Sequence, residues 1–162
     1  MDEKTAKEMA DWVPVVPPFC DEPVWGAAML QHGGTWAAGV SQGAVGGLGG
    51  MLFGRSKAKE NADRNAGLPG YTVLVVGPTK VYALEYTQRR KEPYRGPVAV
   101  WDRNDLEAEV DVRRVASKLR LRVRSTGETF DLESVSMNGS MGRVLKAILA
   151  LLEDPAHTPE TV

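Results

Sequence analysis

Hydrophobic and polar positions alternate strictly from Leu106 onward: Leu106, Ala108, Val110 and Val112 fall on one side, Glu107, Glu109 and Asp111 on the other. After a turn at Arg113-Arg114, Leu119, Leu121 and Val123 continue the apolar side and Lys118, Arg120, Arg122 and Arg124 the polar one. Beyond Thr126-Gly127, Phe130 and Leu132 are apolar, with Asp131 and Glu133 between and after them. Period two over three segments predicts an antiparallel sheet with one solvated face. With a tight turn at Thr126-Gly127, Val123 is expected opposite Phe130, Leu121 opposite Leu132, Arg122 opposite Asp131 and Arg120 opposite Glu133.

Upstream, Thr72 to Val76 and Val81 to Thr87 are rich in β-branched and aromatic residues around a Gly77-Pro78-Thr79-Lys80 turn. They read as a strand pair. Gln88 to Arg95 reads as a polar loop and Val98 to Trp101 as a further strand. Val24 to Leu30 suits a short buried strand or a helical turn, and periodicity does not choose between them. The last element changes period: Met141, Val144, Leu145, Ile148, Leu151 and Leu152 form a helical stripe, with Ser140 as the expected N-cap and Asp154-Pro155 as the stop. Residues 2–12 have helix-forming composition with a thin apolar edge, Met9 and Trp12. Pro14, Pro17 and Pro18 then predict an extended linker.

In order, these elements are seven strands and one amphipathic helix. This order resembles the bacterial pleckstrin-homology-like (PH-like) domains, in which a bent seven-stranded barrel is capped by a final helix. More narrowly, it resembles small actinobacterial proteins with a Gly/Ala-rich segment before a strand pair like 72–76 and 81–87 and a tryptophan-bearing strand like 98–101. The resemblance covers about residues 22–152. It implies a mainly β (α+β) fold: an N-terminal extension at 1–21, a PH-like domain at 22–153 with an insertion at about 33–70, and a flexible tail at 154–162. It also implies a binding or scaffold module for a protein or peptide rather than an enzyme.

Composition narrows the function classes. Twenty Lys plus Arg against 21 Asp plus Glu leave a net charge of −1, which removes the electrostatic prior for nucleic acid. One cysteine excludes an internal disulfide. The mixed-charge start (Asp2, Glu3, Lys4, Lys7) lacks the pattern of a signal peptide, so the cytoplasm is the expected compartment. Two histidines and Cys20 show no metal-ligand spacing, and no glycine cradle for a nucleotide precedes a lysine or a helix. No cofactor or metal is therefore expected. Gly39-Val40-Ser41-Gln42-Gly43 matches the nucleophile-elbow pattern, but no strand leads into it and His157 alone lies downstream, so no catalytic residue is assigned.

Charge also directs attention to two surfaces. No Asp, Glu, Lys or Arg occurs from Pro23 to Gly54, and nine of the 17 glycines fall between Gly33 and Gly54. Trp36 and Met51-Leu52-Phe53 flank that tract, and Arg55, Lys57 and Lys59 follow it, the order in which an apolar segment and cations meet an anionic membrane surface. Those seven residues are candidate contacts for a membrane or a partner, a homo-oligomer included. Arg89, Arg90, Lys91 and Arg95 form a second, basic cluster suited to an anionic group. By contrast, the basic positions 118–124 lie between acidic strands and read as an internal charge ladder, and Trp25, Trp36 and Trp101 read most economically as core or interface anchors.

Overall fold

A computed structural model describes residues 16–32, 68–87, 93–112, 116–135 and 140–153, together with Glu3 and Lys7. Seven strands form one antiparallel sheet: β1 (Gly26–His32), β2 (Tyr71–Val76), β3 (Lys80–Tyr86), β4 (Tyr94–Asp102), β5 (Leu106–Asp111), β6 (Ala116–Val123) and β7 (Thr129–Val135). A long helix, α1 (Ser140–Glu153), follows. The strand order is β4-β3-β2-β1-β7-β6-β5, so among the described residues β4 and β5 are the two edges.

The segment at 24–30, ambiguous by periodicity, is a central strand. Gln31 lies opposite Tyr71 on one side and opposite Glu133 on the other. The first hairpin thus closes across roughly 40 residues, which adds only about 2 kcal/mol of loop entropy over a short turn.

One apolar core unites both halves of the sheet with the helix. Ala28, Leu30, Leu74, Val76, Val81 and Ala83 share it with Leu106, Leu119, Leu121, Val123, Phe130 and Leu132. Val144, Leu145, Ile148 and Leu151 of α1 are all at most 2% exposed in it, each burial worth about 1.5–3 kcal/mol. For residues of β2 and β6 to meet in one core, the sheet must bend. Trp101 packs on Phe130 with ring centroids 5.4 Å apart. Where β4 turns into β5, the buried Arg103 stacks on Trp25, 4.9 Å from the ring centroid, and donates to the Leu151 carbonyl at the end of α1. One guanidinium thereby joins the sheet corner, the start of β1 and an otherwise unsatisfied helix carbonyl.

The other face of β1–β3 is buried too. Val16, Ala27, Val73, Val75, Tyr82 and Leu84 form a second apolar cluster, with Phe19, Cys20 and Val24 packed against it. This explains the unbroken apolar run 73–76, which a half-solvated strand would not need. Residues 16–22 of the expected Pro-rich linker are therefore a strap on the sheet, with a 3-10 turn at Pro17–Phe19.

The β6–β7 register differs from the sequence expectation by two residues. Leu121 faces Phe130, Leu119 faces Leu132, Arg120 faces Asp131 and Lys118 faces Glu133. The cause is the turn. Val123 N–H donates to the Glu128 carbonyl and Gly127 N–H to the Val123 carbonyl, closing a four-residue loop in which Gly127 takes φ 73°. Glycine adopts that conformation without penalty. A two-residue shift keeps each side chain on its expected face but changes its partner.

Candidate functional site

Of the predicted contact residues, Trp36, Met51, Leu52, Phe53, Arg55, Lys57, Lys59, Arg89, Arg90 and Lys91 lie outside the described residues. Arg95 is described: it is exposed near the start of β4, a strand that begins inside the stretch read as a polar loop. Among the described residues, no group of three or more His, Cys, Asp or Glu side chains is placed to hold a metal. No described helix is long and apolar enough to cross a membrane.

The strap is fastened by two adjacent carboxylates. Glu22 accepts from the Lys80 N–H at 2.6 Å, the Thr79 hydroxyl at 2.9 Å and the Thr79 N–H at 3.2 Å. Those amides are available because Pro78-Thr79 forms a two-residue loop, closed by Gly77 N–H to the Lys80 carbonyl. Gly77 makes room for the carboxylate: a Cβ there would lie 2.8 Å from Cδ and 2.9 Å from Cγ of Glu22. Asp21 accepts from Lys80 Nζ and from the Tyr82 hydroxyl. The hydrogen bonds from Lys80 and Tyr82 hold the Asp21 carboxyl below its ordinary range, and the same contact raises Lys80. Burial, then the bond to Asp21, pushes the Tyr82 phenol up. Cys20 is pushed up to about 11, by burial first and then by Asp21 and Glu22, so its thiol is not activated.

On the outer face of β5–β7, the charge ladder exists with its shifted register. Arg120 Nε binds Asp131 at 2.7 Å, which raises the guanidinium. Arg124 and Arg122 reach Glu107 at 3.2 Å and 3.7 Å. Glu109, Asp111, Lys118, Arg120, Asp131 and Leu132 line a groove of about 130 Å³ there. Exposed pairs of this kind contribute about 0.2–1 kcal/mol each. Glu133 departs from the expected pattern: it is 2% exposed on this face, and Gln31 Nε2 donates to it at 3.3 Å.

The two sheet edges lie at the ends of one short connection, Arg103–Asp105, and do not pair with each other. They differ in chemistry. β4 exposes Val98 (44%) and Val100 (46%), but Pro97 interrupts its donors and its register with β3 shifts twice, features that blunt an edge against further pairing. β5 pairs with β6 without interruption from Leu106↔Val123 to Asp111↔Lys118 and has no proline. Its exposed side chains are Glu107, Glu109 and Asp111, with Val112 exposed just beyond it. The acidic alternation at 107–111 was visible in the sequence; its position at an edge follows from the strand order.

Compared with known proteins, the chain matches no family model and no curated protein.

Proposed function

We propose that this chain is a cytoplasmic, non-enzymatic binding or scaffold module of PH-like build that recognises a protein or peptide partner. The observation that carries the reading is that, among the described residues, β4 and β5 pair on one side only, with Val98 and Val100 exposed on β4 and Val112 exposed just beyond β5. Edges left open in a bent sheet are places where an extended segment can add main-chain hydrogen bonds. Support for the PH-like build is the order of seven antiparallel strands and one terminal helix, with that helix packed against both halves of the sheet.

Site-specific photocrosslinking tests the reading. A crosslinker at Val98 or Val112 should trap a discrete partner in extract of the source organism, whereas one at Ser125 in the far turn should not. Equal yields from all three positions would overturn it. The membrane reading rests on the uncharged tract and the cations after it, and it predicts a different result. Full-length chain would pellet with anionic vesicles, and a chain in which 33–67 is replaced by a short turn would not.

A further inference from the structure

The strap at 16–22 is joined to the sheet through its side chains. Among the described residues, no main-chain hydrogen bond runs from 16–22 to a strand. Phe19 N–H donates back to the Val16 carbonyl at 3.0 Å, and sheet pairing starts with Trp25 N–H to the Val76 carbonyl at 2.8 Å. The strap can therefore leave without breaking a rung of the ladder.

What it covers has the make-up of a binding site. Ala27, Val73, Val75, Tyr82 and Leu84 form an apolar floor on which Val16 and Phe19 sit. At one end of that floor, five donors converge on two adjacent carboxylates: the Thr79 and Lys80 N–H groups, the Thr79 hydroxyl, Lys80 Nζ and the Tyr82 hydroxyl. Turn N–H groups backed by a lysine hold a carboxylate through charge-assisted bonds. The occupant that satisfies both parts is short: Val16, Phe19, then Asp21 and Glu22.

We infer that this face takes an extended segment of a partner protein, apolar residues followed by two adjacent acids, and that the strap is its built-in competitor. Only Pro23 and Val24 separate the strap from the paired Trp25. Such a short tether sets its effective concentration on the order of millimolar or above. A partner present below that level binds only when the clamp is loosened, which makes Asp21 and Glu22 a regulatory contact. The site is a sheet face and not the edge of β4 or β5, so it stands or falls separately from the crosslinking result.

The probe is a capped peptide of residues 15–24 carrying Cys20→Ser, titrated at micromolar concentration into the full chain with amide-resolved NMR. Wild type should show no shifts at that level. An Asp21→Asn/Glu22→Gln chain loosens the strap and leaves every donor in place. It should bind the peptide at least tenfold more tightly than wild type, with shifts at residues 72–84. The same peptide with Asp21→Asn and Glu22→Gln should bind that chain at least tenfold more weakly. Equal binding by the two chains, equal binding of the two peptides, or no binding to the loosened chain would overturn the inference. So would a concentration-dependent dimer of the loosened chain, which would assign the face to strap exchange between copies. Hydrogen exchange in wild type gives a check that needs no variant. Release of the strap frees the Lys80 amide, which should exchange at least tenfold faster than the Val75 amide of the interior strand β2. Equal rates would show that the strap leaves only when the sheet unfolds, and would overturn the inference too.

Discussion

Removing the Glu22 carboxylate should reveal how firmly the strap is held to the sheet. In Glu22→Ala, the part-buried Lys80 N–H at 2.6 Å loses a charged acceptor, worth about 1.5 kcal/mol. The Thr79 N–H and hydroxyl are exposed and return to water, so together they add only about 0.5 kcal/mol. The expected loss is about 2 kcal/mol, or roughly 4–8 °C in Tm for a chain of this size. Gly77→Ala attacks the same contact from the other side, because its Cβ would occupy the space of Glu22 Cγ and Cδ. The clamp is lost again, and about 0.4–1 kcal/mol returns from the less flexible unfolded chain. The double variant loses the clamp only once. Urea unfolding of wild type, both singles and the double should therefore give a coupling of about 2 kcal/mol. Additivity within about 0.5 kcal/mol would refute the clamp as an energetic unit.

Three further outcomes follow from the same geometry. Asp21 is held below its ordinary range in the folded chain, so its contribution is present above the unfolded value of about 3.9 and lost as pH falls through the folded value. The stability gap between wild type and Asp21→Asn should thus be level from pH 7 to about 5 and close below about pH 4; a gap widening toward low pH would contradict the contact. Arg103→Ala should cost about 2–3 kcal/mol in urea unfolding, since it removes both the Trp25 contact and the donor to Leu151 from a buried site; a change under about 0.5 kcal/mol would reject that joint. Alkylation of Cys20 at pH 8 should run roughly 20-fold slower than that of free cysteine, because a pKa of about 11 cuts thiolate about 200-fold and higher nucleophilicity restores about tenfold. A rate equal to that of free thiol would show that the strap does not enclose it.

Period two over 106–133 and the helical stripe at 141–152 make the second half of the sheet and α1 legible in the sequence, because each element has one buried face. Val24 to Leu30 stayed ambiguous for the opposite reason: Ala27, Ala28 and Leu30 are all at most 1% exposed, and a strand buried on both faces has no alternation to read. The β6–β7 register is not legible in the sequence because Thr126-Gly127 fits a two-residue turn and also the end of a four-residue loop, and only the Val123–Glu128 hydrogen bond distinguishes them. Chain order likewise shows that Glu107, Glu109 and Asp111 alternate with apolar residues, but it does not say that β5 ends the sheet. The burial of Glu133 depends on β1 lying beside β7, a contact about 100 residues apart in sequence.

Hydrogen exchange along β5 in the free chain tests the open edge most directly. If the edge is unpaired, the Ala108 and Val110 amides exchange fast while those of Glu107, Glu109 and Asp111, bonded to β6, are protected, so protection alternates residue by residue. Uniform protection from Leu106 to Asp111 would show that another part of the molecule already covers this edge, and the account of it as a binding surface would fail.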